Sequence, residues 1–416
     1  MNSPWIGVIA DDFTGATDVA AAIRRQGASV ELAFGVPTSK SKSSAEALVV
    51  ALKSRTATPE SAVQESLQAL DWLLQSGARR IYVKYCSTFD STADGNIGPV
   101  IDAVAQKLGS KWAITTPASP EHGRTVYMGH LFVGQTLLSE SSMATHPLTP
   151  MHDSNLQRVL ASQTSNEVVS FFHGDLQFPY PSAKDDQSPD QTGFRHVIAD
   201  AIDESDLDRV ADIAYEEALS SGGAGLVGAL ARKHTRLVGI KEETSLQLPE
   251  GPAIIVAGSC SHTTLKQVAY AEQHVATFHI DRTSRDAEKC WGDLSKWLKE
   301  QPANKSVMVS ASANADERDR LGFAFGPNTG EIIEKMLARA AGLRVKMGAK
   351  RVIAAGGETS GAVVQELGVS KVLVGHEAAR GIPWCLSEPN GDIALLLKSG
   401  NFGTENLLER AIHEQP

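Results

Sequence analysis

Short apolar runs alternate with longer segments of helical periodicity in the first half of the chain. Buried strands are predicted at residues 6–10, 29–33, 47–52, 80–84 and 112–115. A helix is predicted at residues 59–75, between two of these runs. Strands that alternate with helices indicate a mainly parallel α/β sheet. Ligands of such sheets bind beyond the carboxyl ends of the strands, so polar residues at those ends are the candidates for function.

The same alternation resumes in the second half of the chain. Strands are predicted at residues 253–257, 305–310, 351–355, 371–374 and 393–397, with a helix at 330–347. Residues 178–193 contain three prolines and are predicted to form a surface loop. Residues 242–252 are polar and end in Gly-Pro just before a new strand. We therefore predict an α/β fold of two domains, residues 1–241 and 253–416, joined by a linker at 242–252.

Composition and charge exclude several classes of protein. The chain has 416 residues, more than one hydrophobic core usually serves. Its 39 Lys and Arg stand against 49 Asp and Glu, a net charge of −10, so bulk charge does not favour nucleic acid as a partner. Four cysteines without a C-x-x-C pair indicate neither a disulfide scaffold nor a zinc site. With no apolar run of about 18 residues and no basic leader, we expect a cytoplasmic protein without a membrane partner. A homo-oligomer is left open.

A cluster of carboxylates and hydroxyls follows the first predicted strand. Asp11, Asp12 and Thr14 lie where that strand ends and a helix begins. One explanation is helix capping, because Asp and Thr accept hydrogen bonds from free helix N–H groups. Two adjacent carboxylates exceed the need of one cap, and they could also bind substrate hydroxyls, hold Mg²⁺ or take a proton. Spacing alone does not decide between capping and function.

A second polar cluster follows the strand at 80–84. Lys84, Ser87, Asp90 and the Gly-flanked Asn96 would suit a small, polyhydroxylated anion, although a solvated loop has the same composition. After the strand at 112–115, Arg124 is a candidate to clamp a carboxylate, because the guanidinium fork matches a carboxylate bidentately.

Three Gly- and Ser-containing turns follow predicted strands of the second half, at residues 257–261, 356–361 and 398–403. Glycine lets the backbone approach a phosphate, and a following helix N-terminus favours its charge. Three such turns in one domain favour a phosphate or nucleotide site. Residues 223–228 match G-x-G-x-x-G but follow a segment, 207–220, that reads as a helix, so we predict a helix end there and not a dinucleotide site. No Walker A sequence occurs.

Taken together, three motifs resemble the four-carbon acid sugar kinase family: IGVIADDFTGATD at 6–18, GGETSG at 356–361 and KSGNFG at 398–403. The resemblance covers nearly the whole chain. The second cluster at 84–98 and HPLTPM at 146–151 resemble the branch of that family that acts on 3-oxo-tetronate. One departure is Gly-Ala-Gly at 223–225, where Gly-Ser-Gly is expected.

The resemblance implies that the N-terminal domain binds the acid sugar and the C-terminal domain binds ATP. It implies phosphorylation of the C4 hydroxyl in a cleft between the domains, with Mg²⁺ bridging the phosphates. It also implies nucleotide contacts by residues of the three turns: Ser259, Gly357, Glu358, Thr359, Ser360, Gly400 and Gly403.

For catalysis we predict Asp12 as the base or hydroxyl-orienting group, with Asp11 near the metal. Lys84 and Arg124 are expected to hold the carboxylate, while Thr14, Ser87, Asp90 and Asn96 line the same site. Threonate or erythronate kinases, a nicotinamide-dependent oxidoreductase and a non-catalytic sugar-acid sensor are the alternatives.

Overall fold

The computed structural model describes residues 3–41, 44–146, 149–175, 193–239, 246–280, 286–313, 325–326, 328–388 and 391–414. The chain divides into two compact units, residues 1–243 and 244–416. All but the last residue of the predicted loop at 178–193 lies outside the described residues, as do residues 242–245 of the predicted linker. Within the described ranges, no helix is both long and apolar enough to cross a membrane.

The first unit is built on a parallel sheet. Its strands are β1 (Ile6–Ala10), β2 (Val30–Phe34), β3 (Ala47–Ala51), β4 (Ile81–Lys84), β5 (Trp112–Thr116), β6 (Arg124–Tyr127), β7 (His130–Val133), β8 (Thr136–Leu137), β9 (Glu167–Phe171), β10 (Arg195–Ala199) and β11 (Leu219–Gly222). Its helices are α1 (Phe13–Arg24), α2 (Pro59–Gln75), α3 (Ile97–Leu108), α4 (Leu156–Ala161), α5 (Glu204–Ala214) and α6 (Ala224–Val238). The main sheet has the order β2-β3-β1-β4-β11-β5-β10-β9 with parallel pairing throughout. Strands β6, β7 and β8 form a separate small antiparallel sheet.

Local sequence explains why these elements form. Every residue of β1 and of β3 is buried, which requires the continuous apolar runs of a sheet covered on both faces. Helix α2 begins at Pro59 behind the N-cap Thr58, whose side chain accepts a hydrogen bond from the Ser61 amide. Its bounds are those predicted from the sequence.

The second unit holds a mixed sheet. Its strands are β12 (Ala253–Ala257), β13 (Ala276–His279), β14 (Val307–Ser310), β15 (Arg351–Ala355), β16 (Lys371–Ala379), β17 (Ile382–Ser387) and β18 (Ala394–Lys398). Its helices are α7 (His262–Ala271), α8 (Ala287–Glu300), α9 (Thr329–Lys346), α10 (Gly357–Glu366) and α11 (Leu407–His413). In the order β13-β14-β12-β15-β18-β17-β16, the first five strands are parallel and β17 runs antiparallel to both its neighbours. The predicted α/β class, with mainly parallel sheets flanked by helices, is confirmed.

The prediction that residues 223–228 form a helix end was wrong. Helix α5 ends at Ala214, β11 follows it, and the Gly-rich segment therefore joins a strand to helix α6. Strand β11 has the sequence LSSG and so contains no apolar run, although all four residues are buried. Its Ser221 is accommodated there because its hydroxyl donates a hydrogen bond to Thr115 Oγ1 on the neighbouring strand β5, at 2.7 Å.

The glycines at this turn are required by close packing against protein. A Cβ on Gly222, Gly223 or Gly225 would lie 2.2, 2.7 or 2.4 Å from a backbone oxygen of residues 116–118. The backbone at the start of the motif therefore faces another segment of the chain, which explains Gly223 and Gly225 without a bound dinucleotide.

Candidate functional site

Three adjacent strands of the first unit, in the order β3-β1-β4, bring charged residues to one edge of the sheet. Asp11 and Asp12 follow β1, Lys84 is the last residue of β4, and Arg55 lies four residues beyond β3. The strands are parallel, so these side chains converge at their carboxyl ends. Arg55 is a site residue that the sequence analysis missed.

Arg55 binds both carboxylates. It donates from Nε to Asp11 Oδ2 and from one terminal nitrogen to Asp11 Oδ1, both at 2.8 Å. The same terminal nitrogen lies 2.6 Å from Asp12 Oδ1. The pairs are only partly exposed, with 23% of the Arg55 side chain accessible. Because bidentate, partly desolvated pairs are strong and directional, Arg55 fixes the geometry of both aspartates.

Asp12 also caps helix α1, which is one of the two explanations weighed from the sequence. Its Oδ1 accepts from the Gly15 amide and its Oδ2 from Thr14 Oγ1, both at 2.8 Å. Burial pushes the pKa of Asp12 upward, but Arg55, Lys84 and these hydrogen bonds outweigh it, and the pKa lies below its ordinary value. Asp12 is thus held ionised, and Oδ2 has capacity for one more donor.

The net pKa shift of Asp11 is opposite to that of Asp12, because burial outweighs the nearby positive charges. Burial raises the pKa of Asp11 above the ordinary value in spite of Arg55 and Lys84, and the charge of Asp12 adds to the rise. Both oxygens of Asp11 accept from Arg55. A magnesium ion at Asp11 would therefore compete with a guanidinium, and among the described residues no group of three His, Cys, Asp or Glu could hold a metal. The chain's own residues do not fit a resident Mg²⁺ site here.

Gly15 shows how closely the charged groups converge. A Cβ at this position would lie 2.3 Å from Asp12 Oδ1, 3.2 Å from Lys84 Nζ and 3.5 Å from the Arg55 terminal nitrogen. Lys84 is buried, and its ammonium donates to the Tyr85 carbonyl at 2.7 Å. The start of α1 therefore forms one wall of the cluster made by Asp12, Lys84 and Arg55.

Asn96 supports the loop that carries Arg55. Its Nδ2 donates to the carbonyl oxygens of Ser54 at 2.8 Å, Ala57 at 3.0 Å and Arg55 at 3.4 Å. The Ser54 and Arg55 amides in turn donate to the Asp11 carbonyl. The structure thus places the side-chain nitrogen of Asn96 on protein carbonyls, where it positions Arg55.

The remaining predicted residues of the first unit are Ser87, Asp90 and Arg124. Ser87 is half-buried in the loop after β4, and Asp90 in that loop accepts from Thr88 Oγ1 at 2.5 Å. Arg124 lies on β6 and donates to the His122 carbonyl in its own turn. Its Nε is buried and has no hydrogen-bond acceptor among the described residues.

Asp18 is a second residue to which the sequence analysis gave no role. It lies on α1 one turn beyond Gly15, and Lys84 and His122 both act on its charge. Burial raises its pKa, and its Oδ1 accepts no hydrogen bond from the described part of the chain. The signal was present in the sequence, because Asp18 is three residues from Gly15 and shares its face of the helix.

In the second unit, the three Gly-containing turns meet at the carboxyl ends of the adjacent strands β12, β15 and β18. A Cβ on Gly258 would lie 2.3 Å from Thr359 Oγ1, and one on Gly400 would lie 2.5 Å from Ser259 Oγ. A Cβ on Gly356 would lie 3.1 Å from the Ser259 amide nitrogen. The structure therefore brings residues of all three turns into one cluster.

The turn at 356–361 opens helix α10 without a side-chain cap. Gly356 has φ of +131°, a conformation that favours glycine, whereas Gly357 is the first residue of α10 and is exposed with Glu358. Thr359 and Ser360 are buried, and Ser360 Oγ has no hydrogen-bond partner among the described residues. A ten-residue helix with uncapped N–H groups beside exposed glycine is suited to an anionic phosphate.

Gly403 packs against helix α11, whereas Gly400 packs against Ser259 and Ser261. Its φ is +88°, and a Cβ there would lie 2.3 Å from Leu407 Cδ2. Gln267 holds the same turn by donating from Nε2 to the carbonyls of Phe402 at 3.0 Å and Thr404 at 2.9 Å. Gly403 thus shapes the turn through packing against α11.

Comparison with known proteins agrees with this division of the chain. A family model described as a sugar-binding N-terminal domain matches residues 6–230, and one described as a nucleotide-binding C-terminal domain matches residues 254–408. A curated 3-oxo-tetronate kinase from Burkholderia multivorans is 39% identical, covering 98% of this chain and 97% of that protein. One from Pectobacterium atrosepticum is 40% identical, covering 98% and 99%.

A solved structure from Salmonella typhimurium LT2, described provisionally as a tRNA synthase, has a TM-score of 0.87 at 35% identity and covers 99% of each chain. That structure shares the fold of this chain over nearly its whole length. The two matched domains and the curated relatives define a carbohydrate kinase. The chain belongs to the four-carbon acid sugar kinase family, which confirms the resemblance drawn from residues 6–18, 356–361 and 398–403.

Proposed function

We propose that this protein is an ATP-dependent 3-oxo-tetronate kinase. It transfers the terminal phosphoryl group of ATP to the C4 hydroxyl of 3-oxo-tetronate and releases 3-oxo-tetronate 4-phosphate and ADP. The observation that carries this proposal is the similarity over 98% of the chain to several curated relatives that bear that name. The oxidoreductase alternative requires a strand before Gly223, and β11 is such a strand. Close packing nevertheless explains Gly223 and Gly225, and the family is one of kinases.

The acid sugar is assigned to the first unit, around the wall formed by Gly15. Asp12 is ionised, and its Oδ2 can accept one more hydrogen bond. It therefore accepts a hydrogen bond from the substrate hydroxyl and orients that group. Phosphoryl transfer through a loose transition state needs positioning more than a strong base, which matches a carboxylate of lowered pKa. Lys84 and Arg124 remain the proposed partners of the substrate carboxylate, with Thr14, Ser87 and Asp90 near the hydroxyls.

The nucleotide is assigned to the turns of the second unit. The free amides at the start of α10 and the turns at Ser259 and Gly400 bind its phosphates, and Gly357 lets them approach the backbone. Magnesium enters as part of the Mg·ATP substrate, since it commonly keeps its waters and phosphate oxygens as ligands. Phosphoryl transfer requires the two ligands to meet, so an active site in the cleft between the domains stays a prediction.

A coupled ADP-release assay over 3-oxo-tetronate, threonate, erythronate and a matching neutral sugar tests the proposal. We expect the highest kcat/KM for 3-oxo-tetronate and a large loss for the neutral sugar, because a buried cation left without its partner costs about 2–5 kcal/mol. A preference for threonate or erythronate would overturn the assigned substrate and retain the kinase. Nicotinamide reduction with the same acids, without ADP release, would replace the kinase by an oxidoreductase.

A further inference from the structure

Lys398 is the last residue of β18, and its side chain is fully buried against the turn that follows the strand. Its ammonium donates to Thr264 Oγ1 at 3.0 Å and to the Gly400 carbonyl at 3.2 Å. Both partners are uncharged. Burying an ammonium group without a carboxylate is unfavourable, so its presence at this point requires an explanation.

The hydrogen bonds of Lys398 are not needed to satisfy its neighbours. The Gly400 carbonyl also accepts from Ser261 Oγ at 2.6 Å and from Thr264 Oγ1 at 2.9 Å. These two hydroxyls would satisfy that carbonyl without the lysine. A purely structural role therefore does not account for a buried cation here.

The three donors fix the orientation of one peptide group. In a trans peptide the N–H points opposite to the C=O, so holding the Gly400 oxygen on Ser261, Thr264 and Lys398 directs the Asn401 N–H away from these three side chains. The same turn borders Ser259 and Ser261, which follow β12. Lys398 thus fixes the Gly400–Asn401 peptide and places a positive charge behind a turn that belongs to the cluster where the three turns meet.

We propose that Lys398 is the positioning residue and buried counter-charge of the nucleotide site: it fixes the Gly400–Asn401 peptide of the turn and supplies a positive charge behind it for the phosphates of the bound nucleotide. This inference rests on the proposed function in assigning nucleotide to these turns. It adds a residue that does not touch the ligand but acts on it through the backbone and through its charge.

The electrostatics of Lys398 support a linkage between this group and an anionic ligand. Burial lowers its pKa to about 7 and is the sole cause of the shift. The elements that contact β18 and the turn carry other ionisable side chains, and none of them contributes to the shift. They are Arg351 on β15, Cys385 on β17, Glu358 and Glu366 on α10, His262, Lys266 and Tyr270 on α7, and Glu409, Arg410 and His413 on α11. A phosphate bound above the turn favours the charged ammonium, so binding at pH 8 takes up a proton and binding at pH 6 does not.

The test is calorimetric titration of the full-length protein with the magnesium complex of a non-hydrolysable ATP analogue. Titrations at pH 6 and pH 8 in two non-phosphate buffers of different ionisation enthalpy give the proton uptake and the dissociation constant. For the parent protein we expect uptake approaching one proton at pH 8, and an affinity about 10-fold lower at pH 8 than at pH 6.

Two variants and a control separate positioning from structure. Lys398→Met should bind the analogue at least about 10-fold more weakly at pH 6, show no uptake from this group and melt no lower than the parent. Lys398→Arg keeps its charge at both pH values and should lose the pH dependence. Lys350→Met, an exposed lysine just before β15, should behave like the parent.

Equal affinity and equal proton uptake in the parent and Lys398→Met would overturn the inference, as would unchanged pH dependence in Lys398→Arg if the methionine variant does not fold. Failure of the proposed function has a different signature. In that case no acid sugar supports ADP release, while the linkage between nucleotide and Lys398 is still measured.

Discussion

Replacing Gly15 by alanine tests the geometry of the acid-sugar site with one methyl group. The new Cβ would lie 2.3 Å from Asp12 Oδ1, and real Cβ atoms essentially never approach closer than 3.0 Å. The carboxylate must therefore move by about 0.7 Å, away from Arg55 or from its cap on α1. Displacements on the order of 1 Å at a reacting group cost about 10²-fold in rate, so kcat should fall roughly 10–100-fold.

Stability should change little in the same variant, because two effects oppose each other. Alanine in place of glycine within a helix contributes about 0.5–1 kcal/mol, and a weakened N-cap costs about 1 kcal/mol. Thermal unfolding followed by circular dichroism, alongside the coupled ADP-release assay, measures both quantities. The matched control is Gly228→Ala on α6, where the Cβ would make an ordinary 3.6 Å contact with Ala22. It should gain about 0.5–1 kcal/mol and keep full activity.

Equal turnover by Gly15→Ala and Gly228→Ala would refute the reasoning, because it would show that the position of Asp12 does not matter to the reaction. A large loss of stability with normal turnover of the remaining folded protein would leave Asp12 as a helix cap alone.

Three further outcomes are expected. Asp12→Asn should lower kcat about 10²–10⁴-fold with little loss of stability. Asp18→Asn should retain the fall in rate at acid pH that the parent protein shows. If that acid limb of the pH–rate profile disappears in Asp18→Asn, Asp18 is the proton acceptor instead. Arg55→Met removes the guanidinium that lowers the pKa of Asp12, so the acid limb should move to higher pH by about one unit or more, and an unmoved limb would exclude Asp12 as its source. Gly357→Val should bind the non-hydrolysable ATP analogue at least about 100-fold more weakly while remaining folded, as measured by calorimetric titration. Gly356→Ala should instead lower the stability by about 1–2 kcal/mol, because Gly356 has a positive φ, as measured by thermal unfolding.

The sequence determined the class of fold and indicated the strand ends at which function is expected. Strands such as Ile6–Ala10 and Ala253–Ala257 are visible because a sheet covered on both faces requires unbroken apolar runs. Strand β11 was missed for the same reason, since its buried positions are serines that bond to Thr115. The turns at the strand ends were identified because glycine, serine and aspartate there have no role in the core.

Only the tertiary structure decided which side chains act on one another. Arg55 is 43 residues from Asp12 in the sequence, and their contact depends on the order β3-β1-β4, which local periodicity does not encode. The use of Asn96 to hold the Arg55 loop, and of Gly356 rather than Gly357 as the strained glycine, likewise depends on packing. The burial of Lys398 arises in the same way. A lysine after an apolar strand looks exposed in the sequence, but the Gly400 turn and α7 cover it, and desolvation then changes its chemistry.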